Sequence, residues 1–395
     1  MPLTPPNSCK YCNFSSSLTL PNNSIASNRL NVIVKMEGGL NKISWLRGNN
    51  KFLNSVLKQS MFIPLHNLNP LIKNNTITSI PYKDAEQYIG GKDYGEGMPH
   101  INARFLEGYR QSNTVVALLG VKESKEQKAN DPQYTPSGTV YFCFDASPYP
   151  KEKFESDDAK FRESRSLIGV LGLEDSKIIA QARSIVDWNL RHKYDSGSGK
   201  LNYSTWAGWK LCCSSVFENQ DAPSHSWNGV QNYHYPRTDP VVIMAVLSPD
   251  KSAILLGRNK RYAGGMYSCL AGFVEVGETF EEAVAREVYE EACIRVLNVS
   301  YYSSQPWPYP SSLMTGFFAT ADVNSDYKTS RTDLDGELED ARWFTREEVQ
   351  EMVKHSPGTL SEKPADNVLF VPNKHAIAGE LIRSWLAGIE KKSAL

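Results

Sequence analysis

One stretch constrains this chain more than any other: Gly272-Phe-Val-Glu-Val-Gly-Glu278-Thr-Phe-Glu-Glu-Ala-Val-Ala-Arg286-Glu287-Val-Tyr-Glu290-Glu291. Thr279 and Glu282 make a T-x-x-E pair, in which hydroxyl and carboxylate each satisfy the other residue's backbone N–H, so a helix should begin there. Phe280, Val284, Val288 and Ala292 recur every four residues and predict its buried stripe. Glu287 and Glu291 are one turn apart and meet on a neighbouring face, with Glu290 beside them. Carboxylates crowded in this way repel unless a cation sits among them. An all-oxygen set suits a hard ion such as Mg²⁺ or Mn²⁺. Arg286 can pair with a carboxylate of the preceding loop, and Glu278 is the natural partner. A solvated acidic face would explain E-x-x-E-E alone. It does not explain why loop, cap, arginine and carboxylates share one register.

The rest of the 395 residues divides by pattern. Residues 1–38 are rich in Ser, Asn and Pro, with Glu37 the first acid and Arg29 the one arginine. That composition reads as a disordered extension rather than an Arg-rich transit peptide, with Met36 an alternative start. Residues 39–180 form a first domain. In it Val115–Val121 and Thr139–Phe144 read as strands around a polar surface loop, Lys122–Gly138. Residues 181–234 connect, with polar stretches at Asp195–Gly199 and Ser224–Gln231. A helix is expected over Ile178–Leu190, across that boundary. Residues 235–390 form the second domain. Here Val241–Leu247, Ala253–Leu256 and Leu313–Ala319 read as strands, with a turn at Ser248–Lys251. Helices are expected over 280–292 and Ile377–Ile389. Strands alternating with helices put the fold in the α/β class. Residues 391–395 are a tail.

Composition excludes some partners. A net charge of -1 gives no general attraction to nucleic acid or anionic membrane. No run of about 18 apolar residues suggests a membrane span. The seven cysteines, odd in number and scattered, fit a reducing compartment without a disulfide framework.

The acidic stretch resembles the Nudix box, G-x5-E-x7-R-E-U-x-E-E-x-G-U, at Gly272, Glu278, Arg286, Glu287, Val288, Glu290, Glu291 and Ile294. It departs at Cys293, where the box has a glycine that ends the helix in a left-handed conformation. Downstream, Ser304-Gln305-Pro306-Trp307-Pro308-Tyr309-Pro310-Ser311-Ser312 looks like the SQPWPFPxS motif of the NADH pyrophosphatase branch of that family. Three prolines there predict a rigid loop. Tyr235-Pro-Arg-Thr-Asp-Pro240 and Asn41-Lys-Ile-Ser-Trp-Leu-Arg47 are similar to the same branch. The resemblance implies a C-terminal Nudix fold, a mixed sheet sandwiched by helices, after a diverged Nudix-like domain.

By the same resemblance, Glu287, Glu290 and Glu291 are the catalytic and metal-holding carboxylates. Glu337 and the backbone carbonyl of Ala271 are further metal ligands. Tyr235 and Phe273 hold the base of the nucleotide. Gln305, Pro306, Trp307, Pro308, Tyr309, Pro310, Ser311 and Ser312 line the substrate pocket, and Ala378 touches substrate. The implied reaction is metal-dependent hydrolysis of the pyrophosphate of NADH, and of NAD and related dinucleotides, to NMNH or NMN and AMP. Glu290 is the candidate general base. Removal of an NAD cap from RNA uses the same chemistry and is the alternative. A non-catalytic nucleotide-sensing module is a third reading, opposed by the intact carboxylates. The branch also implies a homodimer.

Its four-cysteine zinc ribbon is degenerate here: the first pair falls at Asp195 and Ser198. Cys212 and Cys213 persist, and His225 and His234 stand nearby, in polar loops where a histidine is usually solvated. No structural zinc is expected. Cys9 and Cys12 are an isolated C-x-x-C. The final Ser393-Ala394-Leu395 resembles the S-K-L peroxisomal address, so an import receptor is a candidate partner; the cytosol is the other location.

Overall fold

The computed structural model describes residues 39–96, 107–123, 138–214, 233–261, 264–359, 362 and 368–389. Residues 1–38 with Cys9 and Cys12, most of the Lys122–Gly138 stretch, Ser224–Gln231 with His225, and Ser393–Leu395 lie outside the described residues. No helix among those described is long and apolar enough to cross a membrane.

The first sheet contains β1 (Met61–His66), β2 (Asn69–Lys73), β3 (Thr76–Ile77), β4 (Ile80–Pro81), β5 (Val116–Glu123), β6 (Gly138–Asp145) and β7 (Ala159–Phe161). At its centre β1 runs parallel to β6, and the other pairings are antiparallel. Alternate side chains feed two cores. Phe62, Leu118, Phe142 and Phe144 pack with Leu53 and Leu57 of α1 (Asn50–Leu57) and Tyr82 and Ile89 of α2 (Tyr82–Ile89). Ile63, Leu65, Ala117, Leu119 and Cys143 pack with Ile178, Ala182, Ile185 and Val186 of α3 (Leu173–Arg191). Glu174 and Asp175 in the first turn of α3 suit its dipole, and the helix starts five residues before the sequence periodicity does.

A small antiparallel sheet follows, β8 (Asn202–Thr205), β9 (Lys210–Cys213) and β10 (Tyr233–His234). Beside it the degenerate ribbon positions are joined by hydrogen bonds. The buried Asp195 carboxylate accepts from the Ser198 N–H and hydroxyl at 2.8 and 2.7 Å and faces His234 Nε2 at 2.9 Å. Ser198 Oγ lies 3.3 Å from Cys213 Sγ. His234 is therefore tied into the ribbon and not simply solvated, because Asp195 offers it a buried acceptor.

The last part contains β11 (Asp239–Leu247), β12 (Ala253–Asn259), β13 (Gly265–Met266), β14 (Leu270–Phe273), β15 (Val296–Trp307), β16 (Ser312–Ala321), β17 (Leu338–Thr345) and β18 (Leu369–Phe370). Six of these form a sheet ordered β15-β16-β11-β12-β17, with β14 also on β11, while β13 pairs with β18. Again the central pair, β11 and β16, is parallel. Val242, Met244 and Val246 face α4 (Phe280–Ala292) through Val284, Val288 and Ala292. Ile243, Ala245 and Leu247 face α5 (Arg346–Lys354) and α6 (Ile377–Leu386) through Val349, Leu381, Ile382 and Trp385. The expected α/β class and helix-sandwiched mixed sheet are both present.

The two sheets share a plan. β4 lies antiparallel on β1 as β14 lies on β11. Phe62 is level with Ile80 on β4, and Val242 is level with Gly272 on β14. The helix after β4 carries Asp84 and Glu86 as its only acids.

Three expectations need correction. Phe280 does not join the buried stripe; it is 40% exposed at the first turn of α4, with its ring 5.9 Å from Phe317. The closing helix ends at Leu386, three residues early, where Ala387 and Gly388 turn the chain. The proline-rich segment is not one loop: β15 runs to Trp307 and β16 starts at Ser312, leaving a turn of 308–311. β15 is an edge strand, so Pro306, which lacks an N–H, does not interrupt a ladder on both sides.

Candidate active site

The acidic helix is fixed at its start by a complete capping box. The Glu282 N–H donates to Thr279 Oγ1 at 3.2 Å, and the Thr279 N–H donates to Glu282 Oε2 at 2.7 Å. At its end Cys293 takes φ 58, ψ 26, the left-handed conformation for which the box uses glycine, and donates its N–H to the Tyr289 carbonyl at 2.8 Å. Each end therefore stops where the residue pattern demands, and the carboxylates are set on a rigid rod.

Arg286 organises the cluster. Its guanidinium grips Glu278 bidentately at 2.6 and 2.8 Å, donates to Glu287 Oε1 and Glu290 Oε2 at 2.8 Å each, and reaches the Phe273 carbonyl at 2.8 Å. The charge-assisted bonds push the Glu278 carboxyl down to about 2, Arg286 first and the Glu275 N–H second. Arg286 is itself held more firmly protonated, with Glu278 the main cause. Glu287 is raised, because burial outweighs its bond to Arg286.

Glu291 is the extreme case. It is 4% exposed, and its Oε2 has no hydrogen-bond partner. Burial, then the charges of Glu287, Asp335 and Glu337, push its carboxyl up to about 9, against a backbone hydrogen bond from Ala271. Beside it, β14 brings Gly272 against Glu287: an added Cβ would lie 1.9–2.1 Å from the Glu287 carboxylate, which fills the space the glycine leaves. Among the described residues no three acidic, histidine or cysteine side chains converge as a ready-made cage, since Arg286 holds Glu287 and Glu290. The donor set nevertheless fits a hard divalent cation. It offers several carboxylates, one buried oxygen without a partner, and a glycine that lets the Glu287 carboxylate approach the strand. Asp335, two residues before Glu337, also acts on Glu291 and went unnoticed in the sequence; its i, i+2 spacing from Glu337 was the available signal.

The other sequence candidates separate into two groups. Strand register gathers the first. Phe273 pairs with Val241, which also faces Met314, and Ser312 pairs with Asp239, so Phe273 and the hairpin turn share the sheet end where β11 begins. Phe273 is 61% exposed there; Tyr235 is also exposed, with its ring edge-on to Trp206. Trp307 stands edge-on to Tyr309.

The second group is committed to the fold. Gln305 donates to the His375 carbonyl at 2.8 Å and accepts from the Ile377 N–H at 2.9 Å, capping α6. Ala378 is buried in the core in the first turn of α6, so its side chain does not face open space as a substrate contact would. Ser312 and Pro308 are buried, and the Ser311 carbonyl accepts from the Asp239 N–H at 3.0 Å.

An α/β protein with two large mixed sheets, the six-stranded one carrying this capped acidic helix, belongs to a defined class. The NUDIX domain profile matches residues 237–363, and the profile of the NADH pyrophosphatase-like rudimentary NUDIX domain matches residues 59–188. The chain belongs to the Nudix hydrolase family, whose members generally use divalent metals such as Mg²⁺ or Mn²⁺. It is 39% identical over 355 residues to a protein of Schizosaccharomyces pombe named "NAD-capped RNA hydrolase", covering 88% of this chain and 90% of the relative. It is 32% identical to "NAD-capped RNA hydrolase NPY1" of Saccharomyces cerevisiae, covering 87% and 92%. To human "NAD(P)H pyrophosphatase NUDT13, mitochondrial" it is 32% identical, covering 82% and 84%.

Proposed function

We propose that this Nudix hydrolase splits the pyrophosphate bond of NADH and NAD, yielding NMNH or NMN and AMP. The observation that carries the reading is the buried, partnerless oxygen of Glu291 in a carboxylate cluster with Glu287, which fills the space Gly272 leaves next to the exposed Phe273. Glu287, Glu290, Glu291, Glu337 and the Ala271 carbonyl would hold Mg²⁺ or Mn²⁺. When bound, such an ion neutralises the pyrophosphate and makes a coordinated water more acidic.

The remaining chemistry belongs to the chain. Arg286 fixes Glu287 and Glu290 in orientation, and the Glu278 grip keeps Arg286 in place. Glu290, more exposed than Glu287, is the candidate base for the attacking water. The Phe273 and Tyr235 rings offer flat apolar faces for a base.

Removal of an NAD cap from RNA is the second reading, favoured by the names of the two yeast relatives. It needs the same bond broken in a larger substrate. Side-by-side turnover of NADH, NAD, ADP-ribose and NAD-capped RNA with Mg²⁺ or Mn²⁺ tests both. NADH and NAD should be cleaved in a metal-dependent way. Cleavage confined to ADP-ribose would refute the dinucleotide reading, and cleavage confined to capped RNA would establish the second.

A further inference from the structure

The turn at 308–311 is held from outside its own sheet. Arg183 of α3 donates from Nε to the Pro308 carbonyl at 2.8 Å and from Nη1 to the Leu68 carbonyl at 3.1 Å. Its neighbour Ser184 donates to the Pro310 carbonyl at 3.3 Å. Between these bonds sits Tyr309. The guanidinium carbons of Arg165 and Arg183 stand 4.6 and 5.0 Å from its ring centre. A second seam lies close by: a Cβ on Gly169 would come within 2.9 Å of the Gly358 carbonyl oxygen and 3.2 Å of the His375 ring.

A contact whose role was only to glue two domains would be served by apolar side chains. Half-burying a guanidinium costs desolvation, which here lowers the Arg183 pKa. In return, its planar donor fork fixes directions as well as distance. The hairpin is thereby pinned twice, at its turn by Arg183 and Ser184 and on β15 by Gln305 against the start of α6. Trp307 lies between the two pins, at the sheet end where Phe273 is exposed.

We propose that Arg183 is a positioning residue: the non-catalytic first domain uses it to set the hairpin wall of the dinucleotide pocket, so that the pocket is complete only when both domains are present. This rests on the dinucleotide reading above. Arg183→Met in the full chain keeps the stem and removes the donors. It should raise KM by at least about tenfold while leaving kcat within about threefold, because it displaces a binding wall and leaves the carboxylates untouched. Arg183→Lys keeps one donor for the Pro308 carbonyl and should recover part of the loss. Tyr309→Phe removes the hydroxyl, keeps the ring that both guanidiniums face, and should cause a smaller rise. An unchanged KM in Arg183→Met, with or without a lower melting temperature, overturns the proposal, as does a loss confined to kcat. If Arg183→Met fails to fold, Arg183→Lys and Tyr309→Phe decide: a KM rise in both sustains the role, and wild-type values in both refute it. The wild type is first run on NADH, NAD and ADP-ribose. Preference for ADP-ribose defeats the dinucleotide reading alone, and KM is then measured on that substrate, where the same rise still supports Arg183.

Discussion

Glu291→Gln should make the metal-free protein more stable and the enzyme nearly inactive. Burial and the neighbouring carboxylates raise the Glu291 carboxyl from 4.5 to about 9. The folded protein without metal therefore holds this group protonated at neutral pH, whereas the unfolded chain ionises it. Because the folded-state pKa is raised, the stability tied to the proton is fully present below about pH 4.5 and is lost as pH rises towards 9. By pH 7 the loss covers roughly 2.5 pH units at about 1.4 kcal/mol each, or about 3.5 kcal/mol. Glutamine has the size of the protonated acid and takes up no proton, so it escapes this loss. In EDTA the variant should melt above wild type at pH 7, by several degrees, and the two should converge near pH 4.5. With Mg²⁺ or Mn²⁺ the order should reverse, because only wild type gains a charged oxygen ligand on ionising. Turnover of NADH at saturating metal should fall by about two to three orders of magnitude, as when other electrostatic stabilisers are removed. Thermal melts at pH 5 and pH 8, with and without metal, and steady-state turnover make the test. A variant with over half of wild-type turnover refutes the assignment. A metal-free variant that melts below wild type at both pH values refutes the protonation argument.

Three further outcomes follow from particular residues. Cys293→Gly should stabilise by about 1 kcal/mol, since Cys293 holds φ 58 at the end of α4; a lower urea midpoint would contradict this. Purified protein should carry no stoichiometric zinc, because Asp195, Ser198, Cys213 and His234 bond to one another; about one tightly held zinc per chain by elemental analysis would overturn it. Deleting Ser393–Leu395 from an N-terminally tagged chain should abolish its overlap with a peroxisomal marker, and an intact chain that shows no overlap points to the cytosol instead.

The acidic helix was readable because its signals are local. A capping box, a four-residue apolar repeat and a helix-ending position all lie within about four turns. The first sheet was harder. β1, β5 and β6 are covered on both faces, so they read as continuous apolar runs with no alternation to fix their direction. Prolines misled at 304–314, because a chain-level reading cannot know that β15 lies at an edge. Gln305 and Ala378 show a different limit. Both fall in stretches similar to substrate-binding segments, yet the amide of one caps α6 and the side chain of the other fills the core. Which partner a side chain meets depends on elements about seventy residues away, and local pattern carries no trace of that.

The strand that leads into the helix ends differently in the two domains. In the second, β14 brings Gly272, whose missing side chain makes room for the Glu287 carboxylate. In the first, β4 consists of Ile80 and Pro81, and Ile80 is packed against the core formed by Phe62, Tyr82 and Ile89. Acids placed on α2 alone would therefore not recreate the second domain's cluster, because the corner that stays open beside α4 is filled with side chains beside α2.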